Sequence, residues 1–277
     1  MEKSKLEMLK KECLDVRVRT IRTIAGFGSG HIGGAMSIAE VLTYLYYAEM
    51  NVDPKDPAKK DRDRLVISKG HAGPAEYAIL SKKGYFPEEM LSTLNQGGTK
   101  LPSHCDMTKT PGVDYTAGSL GQGISAAVGI ALGQKIQNID ARTFCILGDG
   151  ESQEGEVWEA AETAGAWKLD NLIAFTDLNG QQLDDYTDKI IPMHMMKERY
   201  ETFGWDAYSI DGHDFEAIEE AIESAKKVAG KPHMIILNTH KAQGWIPGEG
   251  IKGNHSMPIT KEAAEENIQK LIEREAL

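Results

Sequence analysis

Short apolar runs alternate with amphipathic segments through the second half of the chain, and this alternation constrains the fold more than any other feature. Apolar residues dominate RTFCILG, NLIAFTD and PHMIILN (142–148, 171–177 and 232–238). Continuous apolar runs indicate strands buried on both faces, because successive side chains of a strand point to opposite sides. Helices are predicted between them, over 153–167 and 214–230, with a further strand in GWDAYSI (204–210). The pattern predicts an α/β fold, a parallel sheet with helices on both faces.

The first half of the chain has weaker periodicity and supports the same fold class. We predict a strand in RLVIS and helices in three segments, which are residues 5–25, 75–83 and 124–134. Ser37 is the predicted N-cap of one more helix, which ends at Met50. Because no Pro-, Ser- or Gly-rich linker divides the chain, we expect a single domain over residues 1–277.

Charge and cysteine content argue against several classes of function. The 42 Asp and Glu residues outnumber the 31 Lys and Arg residues, which gives a net charge of -11. Nucleic acid is therefore not an expected partner, because phosphate backbones attract clustered cations. Cys13, Cys105 and Cys145 form no CxxC pair, and the N-terminal segment has no apolar signal-peptide centre. No apolar run approaches the ~18 residues that span a bilayer, so we predict a cytoplasmic protein without membrane contacts.

Two polar residues follow neighbouring predicted strands, at the edge where parallel sheets bind ligands. Asp149 lies between two glycines after RTFCILG, and Asn179 follows NLIAFTD. An isolated GDG more often caps a helix, but the pairing with Asn179 favours a binding site. With a backbone carbonyl from the turn at Gly180 and Gln181, the two side-chain oxygens form a set suited to Mg²⁺, with Ca²⁺ or Mn²⁺ as alternatives.

A diphosphate is the predicted ligand of that metal ion. The glycines beside Asp149 allow close approach of the backbone, and a helix predicted to begin near Gln153 directs its N-terminal amides to the same place. A chain with a net charge of -11 needs a divalent cation and a helix terminus to hold such an anion. A nicotinamide cofactor is not expected, because no GxGxxG lies between a strand and a helix.

Several further segments occur in the order found in a known enzyme family. They are SGHIGG (29–34), ISKGHAGPAEYAIL (67–80), SHCDMTKTPGVDYTAGSLGQGISAAVGIAL (103–132), LGDGESQEGEVWEAA (147–161) and IDGHDFEAI (210–218). Over residues 10–258 the chain resembles the N-terminal half of transketolase, in the split form where that half is a separate chain. The resemblance implies the thiamine-diphosphate-binding fold and a single diphosphate-binding domain.

The resemblance also implies roles for individual residues. The metal ion would bind Asp149, Asn179 and the backbone carbonyl of Gln181. The positions matched to thiamine diphosphate are His71, Gly118, Leu120, Gly150, Glu154, Asn179 and Leu183. The residues matched to the substrate channel are His31, His104 and His255, whose imidazoles would exchange protons with sugar hydroxyls near neutral pH. His213 and His233 lie outside these motifs and are predicted to be structural.

The implied reaction moves a two-carbon ketol unit from a ketose donor to an aldose acceptor. In the family, the glutamate that activates the cofactor lies in a pyrimidine domain across the dimer interface, and this chain has no matching segment. We therefore expect a C-terminal partner chain, an α₂β₂ assembly and no activity of the chain alone. The helix after Gln122, rich in Gly and Ala, is expected at a buried interface.

Three departures from the family pattern bear on the sugar substrate. Ile32 replaces the usual Pro, SHCDM replaces GHPD, and the loop from His240 to Pro258 carries Trp245 and Ser256. We expect these changes to reshape the channel mouth for unusual sugars, such as a branched or sulfonated ketose. Two alternatives remain: a subunit of another thiamine diphosphate enzyme, such as a 2-oxo acid dehydrogenase or deoxyxylulose-phosphate synthase, and a non-catalytic cofactor-binding module.

Overall fold

A five-stranded parallel sheet is the centre of the computed structural model, which describes residues 1–275. The described residues form seven strands, five in this sheet and two in a separate pair. They are β1 (Ser29–Gly30), β2 (Arg64–Ile67), β3 (Thr143–Gly148), β4 (Leu172–Leu178), β5 (Asp206–Asp211), β6 (His233–Asn238) and β7 (Met257–Pro258). The main sheet has the order β2-β3-β4-β6-β5, and every neighbouring pair in it is parallel. β1 and β7 form a separate antiparallel pair. The predicted α/β class with a parallel sheet is confirmed.

Helices flank the sheet along the whole described chain. They are α1 (Lys3–Phe27), α2 (Ile32–Met36), α3 (Ala39–Tyr44), α4 (Gly73–Lys83), α5 (Gln122–Ile136), α6 (Gly155–Ala166), α7 (Thr187–Ile190), α8 (Met196–Thr202), α9 (Phe215–Ala225) and α10 (Lys261–Arg274). Five of the six predicted helices correspond to α1, α4, α5, α6 and α9. Within residues 1–275, no helix is both long and apolar enough to cross a membrane.

Two hydrophobic clusters cover the two faces of the sheet. Phe144 and Ile146 of β3 belong to the cluster that includes residues of α1, α3, α4 and α9, whereas Cys145 and Leu147 belong to the cluster that includes residues of α5 and α6. This alternation explains the continuous apolar runs, because both sets of side chains are buried. The prediction that helices lie on both faces is confirmed.

The predicted helix from Ser37 to Met50 is wrong in its beginning and in its regularity. Helix α2 begins at Ile32, a break follows at Ser37 and Ile38, and α3 continues as a π-helical turn over Leu45–Glu49. Ser37 does not cap a helix, because its hydroxyl donates a hydrogen bond to the buried carboxylate of Asp177 at 2.7 Å. The Ser37 hydroxyl, which the local sequence predicts to cap a helix, thus binds a carboxylate that is distant in sequence.

Candidate cofactor and substrate cavity

One cavity of about 310 Å³ lies at the carboxyl ends of β3 and β4. Its lining includes every residue that the sequence predicts for the site: His31, His71, His104, Gly118, Leu120, Asp149, Gly150, Glu154, Asn179, Gln181, Leu183 and His255. Strands β3 and β4 are parallel neighbours, so the residues that follow them come out on one edge. The structure therefore brings the predicted residues together, while their individual roles remain predictions.

The predicted metal ligands present oxygen atoms that suit a hard cation. Asp149 is buried, and its carboxylate accepts hydrogen bonds from the backbone N–H groups of Gly150 at 2.8 Å and Gly180 at 2.6 Å. The side-chain oxygen of Asn179 accepts one from the N–H of Gln181 at 3.1 Å. No three His, Cys, Asp or Glu side chains within residues 1–275 converge on a metal site. A metal here would depend on the mixed set of carboxylate, amide and carbonyl oxygens, which fits Mg²⁺.

The electrostatics of Asp149 also fit a bound cation. Burial, together with the nearby Asp177 carboxylate, raises the pKa of Asp149 to about 7. The nearby positive charge is thus too small to favour the ionised form of this carboxyl group, and a bound divalent ion would supply the missing charge. Lys241 is the nearest partial substitute: its Nζ donates to the carbonyl oxygen of Gln181 at 3.0 Å, and burial lowers the pKa of this lysine to about 8.

Gly150 and the turn after it form the surface predicted to meet a diphosphate. A Cβ at Gly150 would lie 2.8 Å from the Cβ of Gln182, so only glycine fits between the two loops. The predicted helix start near Gln153 is two residues early, because Glu151–Gln153 forms a 3₁₀ turn and α6 begins at Gly155. Lys69 and Lys241 also line this cavity, and the sequence interpretation missed both.

Four histidines form a cluster on the cavity wall. The ring centroid of His31 lies 5.3 Å from those of His104 and His255, and the centroids of His71 and His255 are 4.7 Å apart. Burial lowers the pKa of each, and in His255 burial and the charge of Lys241 lower the pKa to about 3. The cluster is therefore neutral at pH 7, so each ring offers one hydrogen-bond donor and one acceptor.

Asp177 is a buried centre that holds four segments of the site together. Its carboxylate accepts hydrogen bonds from Lys69 Nζ at 2.6 Å, Ser37 Oγ at 2.7 Å and Asn179 Nδ2 at 2.8 Å, and also from the hydroxyl of Thr239. The charge of Lys69 and these hydrogen bonds keep the pKa of Asp177 below its usual value despite the burial of the carboxylate. In the sequence Asp177 is only the last residue of a predicted strand, and the one signal of its role is an acid at the end of an apolar run.

Glu151 joins the two glycine-rich loops of the cavity. Its buried carboxylate accepts hydrogen bonds from the N–H groups of Gly121 and Gly148, each at 2.9 Å, and from the hydroxyl of Ser68. Glu151 lies in the first turn of the 3₁₀ segment Glu151–Gln153, and its side chain is buried. Glu156 does lie in the first turn of α6.

Trp245 does not reshape the channel mouth, contrary to expectation. The indole is 2% exposed and belongs to the hydrophobic core, and Trp245 is not among the described residues that line the cavity. Ile32 is likewise buried in that core. These departures from the family pattern therefore act through packing, because neither side chain reaches the cavity.

Two histidines that lie outside the cavity, His213 and His233, have contacts with other elements of the fold. His213 Nε2 accepts a hydrogen bond from the backbone N–H of His240 at 2.9 Å, and its Nδ1 lies 3.2 Å from a carboxylate oxygen of Glu40. His233 is the buried first residue of β6, and its Nδ1 lies 3.3 Å from a carboxylate oxygen of Asp206 in β5.

A buried acid lies behind His104, outside the cavity. Glu76 of α4 is 1% exposed and accepts a hydrogen bond from Cys105 Sγ at 2.8 Å. Burial, with a smaller contribution from the Asp114 carboxylate, raises the pKa of Glu76 to about 8 from its ordinary value of 4.5. Glu76 therefore holds a proton at neutral pH in the folded chain.

This proton gives a testable dependence of stability on pH. Between about pH 4.5 and pH 8 the folded chain keeps the Glu76 proton and the unfolded chain has lost it, so the free energy of unfolding falls as pH rises. Glu76→Gln removes this loss, and we expect the variant to gain a few kcal/mol over the parent between pH 5 and pH 9. Urea unfolding at both pH values measures the difference. The exposed Glu89→Gln is the control, and a stability difference for Glu76→Gln that does not change with pH would contradict the assignment.

Comparison with known proteins identifies relatives along nearly the whole chain. Residues 9–273 match the family described as "Transketolase, thiamine diphosphate binding domain". The 6-deoxy-6-sulfo-D-fructose transketolase subunit SqwG of Clostridium sp. (strain MSTE9) is 52% identical, over 89% of this chain and 90% of its own length. An apulose-4-phosphate transketolase subunit of Phocaeicola vulgatus is 37% identical, over 97% of this chain and 95% of its own length.

Solved structures give the same assignment. Transketolase from Leishmania mexicana superposes with a TM-score of 0.90 at 30% identity, covering 97% of this chain and 41% of that chain. Transketolase from Campylobacter jejuni superposes with a TM-score of 0.89 at 35% identity, covering 98% of this chain and 43% of that chain. The superpositions agree with the predicted fold, and this chain spans about two fifths of the length of these solved enzymes.

Proposed function

This chain belongs to the transketolase family, and from that premise we propose that it is the cofactor-binding subunit of a two-chain transketolase whose ketose donor carries a sulfonate. The predicted family, fold and enzyme class are confirmed by the matching domain and the related subunits. Thiamine diphosphate is the cofactor of the matched domain. The donor, the metal, the partner and the assembly are the proposed parts.

The sulfonated donor is supported by the related subunits. The relative named for 6-deoxy-6-sulfo-D-fructose is 52% identical to this chain, whereas the one named for apulose 4-phosphate is 37% identical. Two transketolase subunits that are 37% identical can differ in their sugar substrate, so apulose 4-phosphate is the second candidate donor. We propose the sulfonated ketose because the higher identity extends over 247 residues.

The cavity offers two kinds of group, oxygen atoms that suit a metal ion and imidazoles that suit a sugar. We propose that Asp149, Asn179 and the carbonyl of Gln181 would hold Mg²⁺, whose charge would help to bind the diphosphate beside Gly150. Bound thiamine diphosphate supplies the carbon nucleophile of the reaction. Neutral His31, His104 and His255 can then donate hydrogen bonds to carbonyl oxygens of the sugar and accept them from its hydroxyls.

A partner chain is proposed to cover the exposed apolar surface beside the cavity. Leu183, Ile191 and Met195 are 52–68% exposed in the segment that follows β4, and Leu183 also lines the cavity. Large exposed apolar side chains in one segment are typical of protein interfaces. We propose that the partner carries the pyrimidine domain with the activating glutamate, that this chain forms one diphosphate-binding domain, and that the assembly is α₂β₂.

The proposed function is tested by comparing ketose donors in an activity assay. The chain is co-purified with its partner, loaded with thiamine diphosphate and Mg²⁺, and assayed with one aldose acceptor. We expect kcat/KM for 6-deoxy-6-sulfofructose to exceed that for fructose 6-phosphate by about tenfold or more. The chain alone is the control and should show no turnover.

Two results of this assay would change the proposed donor. Equal or better use of xylulose 5-phosphate would reject the sulfonated donor, and a preference for apulose 4-phosphate would select the second candidate. Calorimetric titration of thiamine diphosphate with Mg²⁺ into the chain pair tests the cofactor site independently of the sugar. Absence of binding there would reject the cofactor role.

A further inference from the structure

His104 lies between two anchor points that belong to a single turn of α4. On one side, Tyr77 Oη donates a hydrogen bond to the carbonyl oxygen of Pro102 at 2.9 Å. On the other side, Cys105 Sγ donates to Glu76 Oε2 at 2.8 Å. Because Glu76 and Tyr77 are adjacent in the helix, α4 fixes both flanks of the histidine.

Cys105 also connects three segments that line the cavity. Its N–H donates to the carbonyl oxygen of Gly70 at 3.2 Å, and its carbonyl oxygen accepts from the N–H of Ala117 at 3.0 Å. Gly70 precedes His71, and Ala117 precedes Gly118. The backbone at Cys105 thus links the segments of His71, His104 and Gly118, and the thiol fastens that junction to α4.

The junction is closely packed, so a shift of Cys105 cannot be absorbed locally. Cys105 and Glu76 are each 1% exposed. A Cβ at Gly70 would lie 2.7 Å from the Cβ of Ala117, and a Cβ at Gly73 would lie 3.3 Å from Cys105 Sγ. Loss of the bond between the thiol and the carboxyl would therefore move the backbone that carries His104.

We propose that Glu76 and Cys105 are a positioning pair that fixes His104 for contact with the sugar substrate. The inference rests on the proposed function, because that function gives His104 its substrate. Neither residue lines the cavity, whereas His104 does, with its ring 5.3 Å from that of His31. The pair acts through the backbone of residues 102–105, which carries the imidazole on the cavity wall.

The kinetic test separates the hydrogen bond from the bulk of the side chain. Glu76→Met keeps the length of the side chain and removes the acceptor, and Cys105→Ala removes the donor. For each we expect kcat/KM of the assembled enzyme to fall about tenfold, mainly through a higher KM, because the sugar loses an aligned partner. Glu76→Gln and Cys105→Ser keep an acceptor and a donor, so they should remain within about threefold of the parent.

A second measurement uses the full chain without cofactor or partner. The NMR resonance of the His104 Cε1–H, assigned through its loss in His104→Gln, is titrated in the parent and in Glu76→Met. Burial holds the pKa of His104 below its usual value, with His31 and His71 as its nearest titratable neighbours. Release of the flanking backbone should expose the ring and move its pKa up toward 6.5.

The control is Cys145→Ala, which removes a buried thiol from β3 on the opposite face of the sheet. It should leave both the KM and the His104 titration unchanged. An unchanged His104 titration in Glu76→Met would overturn the proposal, and so would Glu76→Gln behaving like Glu76→Met. If the assembled enzyme shows no transketolase activity but the titration shifts as expected, the proposed function fails and the positioning of His104 stands.

Discussion

Asp149→Asn is expected to lower the metal-dependent affinity for thiamine diphosphate by more than about 100-fold and to remove activity of the assembled enzyme. The substitution keeps the size of the side chain and one acceptor oxygen, but it removes the negative charge and adds an N–H₂ group. That group would face one of the backbone N–H groups of Gly150 and Gly180, which now donate to the carboxylate. The variant thus loses the strongest expected metal ligand and gains a repulsive contact.

Calorimetric titration with Mg²⁺ held in excess measures this effect on the cofactor. Asp184→Asn is a matched control, because Asp184 is an exposed acid in the loop that carries the other two proposed ligands. The control should bind like the parent. Thiamine diphosphate binding within a few-fold of the parent in Asp149→Asn would remove Asp149 from the metal site.

Lys69→Met is expected to lower the free energy of unfolding by about 3–5 kcal/mol, because it leaves the Asp177 carboxylate buried without its cation. The Nζ of Lys69 donates to Asp177 at 2.6 Å and to the carbonyl oxygen of Gly34 at 2.7 Å, and both charged groups are fully enclosed. Three other donors to Asp177 would remain, but they are neutral. The cost therefore follows from the uncompensated charge.

Urea unfolding of a set of variants tests this explanation. Lys69→Met combined with Asp177→Leu removes both charges, and we expect it to recover part of the lost stability. Lys135→Met is the matched control, since Lys135 pairs with Asp170 at a partly exposed site, where such a pair contributes about 0–1 kcal/mol. Equal losses in Lys69→Met and Lys135→Met would contradict the role of the buried pair.

The layers of the fold were predictable because the sequence pattern follows directly from burial. Strands such as Phe144–Leu147 face helices on both sides, so apolar residues occupy every position. The meeting of Asp149 and Asn179 was predictable for a related reason, because parallel neighbours end at one edge. These inferences need only the periodicity and the order of the elements.

Contacts between distant segments were not predictable in the same way. Ser37 has the local pattern of a helix cap, yet it binds Asp177, which lies 140 residues away along the chain. Trp245 follows a glycine in a polar loop, yet it is buried because the loop folds back over the core. The contacts of Glu151 were not predictable for the same reason, since its partners Ser68 and Gly121 are far from it in sequence.

The contacts of Asp177 also imply an order of events during folding. Its partners Ser37, Lys69 and Thr239 are separated from it by 140, 108 and 62 residues. Contacts of such high sequence separation form late, because the closure of long loops costs conformational entropy first. Thr239 directly follows β6, so a growing chain on the ribosome completes this centre only after that strand has emerged. The hydrogen bonds that join the segments of Ser37, Lys69 and Thr239 at Asp177 are therefore complete only after residue 239 has left the ribosome.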